Sequence, residues 1–197
     1  MKDNWKAYLE HDAGAIFSDG IVANFGNPER ESRVSTVGNT MMDLSQFGLI
    51  GVRGEDASTF MQNLFCNDIR EVTEQKSQLN AFCSAKGRII ANFLLFMRDD
   101  SYYLQLPSQQ MDVILKKLQM YKLMSKVDII DASNSFVRIG CSGPSIEQEL
   151  STISPQLPRE IDDVVQHNKL TIIRVPGIQP RFELIGGFDE IKNAWQR

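Results

Sequence analysis

The stretch from Gln78 to Leu106 constrains the fold more than any other. Three apolar runs rich in Phe, Ile, Leu and Tyr are cut there by two turn signals, Lys86-Gly87 and Asp99-Asp100. Runs of this length separated by tight reversals predict an antiparallel meander. Gly87 supplies the positive φ that such a reversal often needs. Lys86 and Arg88 then form a cationic pair at one end of an apolar sheet, where they either keep a hairpin tip solvated or meet an anion.

On the N-terminal side of the meander, Lys2 to Asp12 places Trp5, Tyr8 and Leu9 at helical spacing, and Gly14 ends that helix. Short extended pieces follow at 15–17 and 21–25. Gly26 to Asn39 contains Pro28 and alternating charges at Glu29, Arg30, Glu31 and Arg33, and reads as a mobile loop. A strand-like run from Met41 to Val52, with Gly48 at a bulge or turn, leads into a helix opened by Gly54-Glu55-Asp56. Its acidic start suits the helix dipole, and Phe60, Met61, Leu64 and Phe65 mark its buried face. Asn67-Asp68 reads as a helix-ending turn.

Beyond the meander, Met111, Ile114, Leu115, Leu118 and Tyr121 repeat at i, i+3, i+4 and i+7, which predicts an amphipathic helix reaching Ser125. Lys116, Lys117 and Lys122 take its wet side. Strands are expected near 127–130, 136–141, 170–175 and 181–185, with helices over 144–150 and from Phe188 onward. The mixed order of elements predicts an α+β fold with largely antiparallel sheets. Two lobes are expected: a central βαβββα lobe over 42–125, and a discontinuous, ferredoxin-like lobe made of 1–41 and 126–197.

Composition removes several function classes. The formal net charge is -4, so there is no global basic field for nucleic acid or an anionic membrane. No apolar run approaches the roughly 18 residues of a membrane-spanning helix. The N-terminus opens polar, so a cytoplasmic location is expected. Cys66, Cys83 and Cys141 are an odd number of thiols without a Cys-x-x-Cys pair, which fits reduced cysteines. Cys83 and Cys141 lie in apolar strand-like sequence and are expected to be buried as small hydrophobes. With His11 and His167 as the only histidines, neither a metal centre nor a Ser-His-Asp triad is supported. No catalytic residue and no metal ligand is therefore assigned.

Four segments recur in a known order: Met42-Asp43-Leu44-Ser45; Gly54-Glu55-Asp56-Ala57 followed by Phe60-Met61-Gln62-Asn63; Cys83-Ser84-Ala85-Lys86-Gly87-Arg88; and Tyr121-Lys122-Leu123-Met124-Ser125-Lys126-Val127. Together, over about residues 40–190, they resemble the YgfZ-type folate-binding proteins. These are relatives of the glycine-cleavage T-protein (aminomethyltransferase) and of the mitochondrial iron-sulfur maturation factor of the same family. The resemblance implies a three-part cloverleaf whose central hole holds tetrahydrofolate or a related reduced folate. It also implies a part in synthesis or repair of iron-sulfur enzymes, including tRNA-modifying ones. Iron-sulfur client proteins would be partners, with no direct nucleic-acid contact and no membrane.

The same resemblance points to site residues. The T-protein carries a pair of aspartates where this chain has Ala91 and Asn92, and an asparagine neither ionises nor takes up a proton near neutral pH. That disfavours aminomethyl transfer and leaves Asn92 as a hydrogen-bonding group for folate. Glu183 resembles the family carboxylate that grips the pterin, since a carboxylate accepts two parallel N–H bonds. From its residue type alone it reads as a strand-surface glutamate. Lys86 and Arg88 would lie near the cofactor and meet its glutamate tail. A typical member continues into a C-terminal barrel domain with a Lys-Gly-Cys-x-x-Gly-Gln-Glu signature, whereas this sequence stops at Arg197, as a truncated or degenerate relative would. The alternatives are a folate-dependent aminomethyltransferase using another carboxylate, and a non-catalytic interaction module.

Overall fold

A computed structural model describes residues 1–197. The chain divides into two compact units, a discontinuous one (Met1–Gln46 with Asn134–Arg197) and a continuous one (Phe47–Ser133). The discontinuous unit begins with α1 (Asp3–His11), a hairpin of β1 (Ile16–Ser18) and β2 (Ile21–Asn24), α2 (Pro28–Val37) and β3 (Thr40–Asp43). The continuous unit holds β4 (Phe47–Arg53), α3 (Ala57–Gln62), β5 (Gln78–Cys83), β6 (Ile89–Arg98), β7 (Ser101–Pro107), α4 (Met111–Tyr121) and β8 (Asp128–Asp131). The discontinuous unit is then completed by β9 (Val137–Ser142), α5 (Ile146–Ser151), β10 (Val164–His167), β11 (Leu170–Arg174), β12 (Arg181–Gly186) and α6 (Phe188–Trp195). The fold is α+β, with two five-stranded sheets in which every neighbouring pair is antiparallel.

In the continuous unit the sheet order is β5-β6-β7-β4-β8, so the expected meander supplies three adjacent strands. Alternation along each strand sends Ile50, Val52, Phe82, Ala91, Phe93, Leu95, Leu104 and Leu106 to one face, where they form a core with Phe60 and Met61 of α3 and Met111, Ile114 and Leu118 of α4. Each such large side chain contributes about 1.5 to 3 kcal/mol when fully buried. Gly48 is a regular member of β4, not a bulge, and faces Leu106. Its missing side chain leaves room for Met111, whose Cγ is 2.1 Å from where a Cβ would stand. The start of α3 is tied down by its side chains. Asp56 Oδ2 accepts the Lys126 backbone N–H at 2.8 Å, and Lys126 Nζ donates to Glu55 Oε2 at 2.8 Å.

The discontinuous unit has sheet order β10-β11-β12-β9-β3. One face carries Val137, Ile139, Cys141, Leu170, Ile172, Phe182 and Leu184, and packs with Trp5, Tyr8 and Leu9 of α1, Ile146 and Leu150 of α5, and Ile191 and Ala194 of α6. After α5 comes a three-strand meander, β10-β11-β12, whose last strand returns beside β9, while β3 lines the other side of β9.

Several expectations are corrected by the pairing. The run from Met41 to Val52 is two strands in different sheets, because β3 pairs with β9 while β4 pairs with β7 and β8. Residues 42–46 therefore belong to the discontinuous unit, and residues 126–133 to the continuous one. The break falls after Asp43, whose carboxylate accepts the Ser45 N–H at 3.1 Å and the Ser45 hydroxyl at 2.8 Å. The expected mobile loop over 26–39 is the helix α2. Asn27 caps it by accepting the Arg30 N–H at 3.0 Å, Pro28 sits where a missing N–H costs nothing, and Glu31 accepts from the N–H groups of Phe25 and Asn27. α4 ends at Tyr121, short of Ser125, with Leu123 at φ 42. β10 had no strand signal recognised in the sequence.

Candidate functional site

Lys86, Arg88 and Asn92 share the β5–β6 hairpin of the continuous unit. The Gly87 N–H donates to the Ser84 carbonyl at 2.9 Å and the Ser84 N–H to the Arg88 carbonyl at 2.8 Å. Gly87 has φ +71, the left-handed residue that a short hairpin loop of this kind requires. Lys86 and Arg88 are both exposed. Asn92 is exposed on β6 opposite Ala81, while its neighbour Ala91 is 2% exposed in the core. Along a strand, Arg88 and Asn92 are separated by roughly 13 Å at about 3.3 Å per residue. A ligand touching both would have to be elongated.

Glu183 lies on β12 of the discontinuous unit, paired with Ile173 of β11 and Gly140 of β9. It is half-buried on the sheet face opposite to the one that carries Phe182 and Leu184 into the core. Arg138 pairs with Ile185, so the Arg138 guanidinium and the Glu183 carboxylate share that face two residues apart in register. Thr171 also pairs with Ile185, and its hydroxyl donates to Gln166 Oε1 at 2.7 Å. Arg138 is 4% exposed and Thr171 fully buried. This polar row was missed because a half-polar strand face reads in sequence as a solvated one.

Two cavities within the units are lined by other residues. The continuous unit has a charged recess of about 550 Å³ bordered by Arg53, Asp99, Asp100, Lys122, Lys126 and Asp128. A cavity of about 240 Å³ in the discontinuous unit is lined by Met41, Ile146, Leu150, Ile153 and Arg197 among others. No helix is long and apolar enough to cross a membrane.

A second correction concerns the thiols. Cys141 is buried as expected, and burial pushes its thiol up to about 12. Cys83 is only half-buried, and its Sγ lies 3.3 Å from the Sγ of exposed Cys66. The segment carrying Cys66 runs antiparallel to β5 through a Phe65–Phe82 bridge, and the Cys66 N–H donates to the Ala81 carbonyl at 3.0 Å. Asn80, 2% exposed, reinforces this edge: its Oδ1 accepts from the N–H groups of Cys66 and Asn67 at 3.2 and 3.1 Å. Seventeen residues apart in sequence, these cysteines carry no local signal of their meeting.

The GCVT N-terminal domain matches residues 23–182 of this chain. The tRNA-modifying protein YgfZ of Colwellia psychrerythraea is 31% identical over 148 residues, which is 74% of this chain and 44% of that protein. The protein of the same name from Photorhabdus laumondii is 28% identical, covering 77% of this chain and 46% of its own length. An aminomethyltransferase from Staphylococcus haemolyticus is 30% identical over 112 residues, 56% of this chain and 31% of its own. The chain thus spans just under half the length of the first two relatives. Among solved structures, the glycine cleavage system aminomethyltransferase T from Bartonella henselae superposes with a TM-score of 0.82 at 15% identity, covering 98% of this chain and 55% of that one. At that identity the likeness is one of fold.

Proposed function

This chain belongs to the GCVT N-terminal domain family, and from that premise we propose that it binds tetrahydrofolate or a related reduced folate as a non-catalytic factor. In this reading it supports the synthesis or repair of iron-sulfur enzymes, including enzymes that modify tRNA. The relatives in Colwellia psychrerythraea and Photorhabdus laumondii are named as tRNA-modifying proteins, which favours the tRNA connection. The observation that carries the non-catalytic reading lies on β6. The exposed position there is an amide, Asn92, and its neighbour Ala91 is packed into the core. An amide cannot accept the proton that aminomethyl transfer must handle at the folate amine.

The residues fit the ligand class. A carboxylate at Glu183 can accept paired N–H bonds from the 2-amino and ring N–H groups of a pterin. The amide of Asn92 offers a neutral hydrogen bond. Exposed Lys86 and Arg88 suit the carboxylates of a glutamate tail. When bound, the folate supplies a one-carbon carrier, and the chain's own groups hold and orient it.

The test is titration of the purified chain with tetrahydrofolate, followed by the fluorescence of Trp5 and Trp195, whose rings meet edge to face at 5.6 Å. Saturable quenching with no aminomethyl turnover is expected. Absence of any response up to millimolar folate would overturn folate binding. Turnover that survives Asn92→Ala would favour the transferase.

A further inference from the structure

The thiols of Cys66 and Cys83 are the one pair of nucleophilic side chains that the folate reading leaves without a task. Their sulfurs are 3.3 Å apart, already in contact, with the Cys66 S–H donating to the Cys83 sulfur. The Phe65–Phe82 bridge sets them on one face of the sheet: Cys66 stands beside Ala81, and Cys83 is two residues further along β5. A register shift between Phe82 and Cys83 breaks the regular ladder at this point, and the segment after α3 that carries Cys66 belongs to no named strand. With the Cys66 backbone held by the Ala81 carbonyl and the Asn80 side chain, rotation of the two cysteine side chains is what takes the sulfurs from contact to bonding distance, about 2.05 Å. Cys66 is exposed and Cys83 half-buried, so an oxidant reaches the first and the second resolves it.

We infer that Cys66 and Cys83 are a covalent modification site, an oxidisable dithiol that closes to an intramolecular disulfide on meeting a low-molecular-weight disulfide. In the first step the Cys66 thiolate attacks one sulfur of the oxidant RSSR, the S–S bond breaks and RS⁻ leaves, giving a mixed disulfide at Cys66. In the second the Cys83 thiolate attacks the Cys66 sulfur, the mixed disulfide breaks and a second RS⁻ leaves. Two electrons pass from the cysteine pair to RSSR, and the two thiol protons end on two RSH. An accessible bond of this kind is reopened by excess monothiol through the reverse exchange. The inference does not depend on folate binding.

The test treats the fully reduced chain with glutathione disulfide in mildly alkaline buffer, blocks remaining thiols, and reads intact and peptide masses. The expected product has lost the mass of two hydrogens, retains no glutathione, and yields a peptide linking Cys66 to Cys83, with Cys141 left to the blocking reagent. Cys83→Ser should stop at a persistent glutathione adduct on Cys66, and Cys141→Ser should cross-link as the parent does. Phenylarsine oxide, which bridges only neighbouring thiols, should protect Cys66 and Cys83 together at one equivalent, and this arm needs no variant. A stable single adduct on the parent chain, a link involving Cys141, or failure of the arsenical to protect the pair would overturn the proposal.

Discussion

The indole N–H of Trp5 donates to Oδ1 of Asp43 at 2.8 Å, joining the first helix to the first strand of its sheet across 38 residues. Trp5 is 1% exposed and Asp43 7%, so neither group has water as a ready substitute. Asp43→Ala leaves the indole N–H unpaired and removes the acceptor for Ser45, and is expected to cost about 1 to 3 kcal/mol. Asp43→Asn keeps an acceptor oxygen and should cost less. Urea unfolding followed by tryptophan fluorescence measures both.

Gly54 takes φ +126, and a Cβ there would stand 2.3 Å from the carbonyl oxygen of Lys126, a backbone atom with little freedom to yield. Gly54→Ala is expected to destabilise the continuous unit by about 1 to 3 kcal/mol. A midpoint in urea matching that of the parent chain would show that the strand end relaxes without cost.

Helix α2 buries none of its residues, so its order rests on its ends more than on packing. Removing the cap with Asn27→Ala should cost about 1 kcal/mol locally. Amide hydrogen exchange over residues 28–37 should speed up while the global unfolding midpoint barely moves. Unchanged exchange there would mean that Glu31 alone secures the helix start.

The hydrogen bond to Cys83 is the main cause that holds the Cys66 thiol above its ordinary value, with burial adding in the same direction. A raised thiol is protonated at neutral pH, so iodoacetamide should modify Cys66 slowly at neutral pH and faster only above the ordinary thiol range. Cys83→Ala removes the partner and should shift the rate profile to lower pH. A profile identical in both chains would show that the contact has no influence on the proton.

For the proposed folate contacts, Glu183→Gln replaces one of two acceptor oxygens with a donor, and is expected to weaken tetrahydrofolate binding by about 1.5 to 3 kcal/mol. Lys86→Ala combined with Arg88→Ala should act on polyglutamylated folate more than on the monoglutamate, and should flatten the salt dependence. Calorimetric titration distinguishes these outcomes.

The periodic parts of the fold were legible in the sequence. The meander of 78–106 and the helix from Met111 show their faces directly, because burial follows alternation in one and a four-residue repeat in the other. Less legible was what depends on partners distant in sequence. Nothing local in Met41 to Val52 says that its halves join different sheets. The charges of 28–33 hid a helix whose signal was its cap, Asn27-Pro28 with acidic residues behind it. The positions of Lys86, Arg88, Asn92 and Glu183 on their elements followed from strand assignment. The Cys66–Cys83 contact did not, because it arises from an isolated bridge outside any strand pattern.

The pairing of β3 with β9, Thr40 with Ser142 at one end, has a bearing on how the chain emerges from a ribosome. The segment between them contains the whole continuous unit, whose own extremities are fastened by the Leu49 N–H to Ser133 Oγ at 3.0 Å. That inserted body has every residue it needs once Ser133 is synthesised, whereas β3 must stay unpaired until β9 follows it. Vectorial synthesis ordinarily lets N-terminal parts settle first; here connectivity reverses that order, and β3 finds its place only after the unit that follows it in the chain is complete.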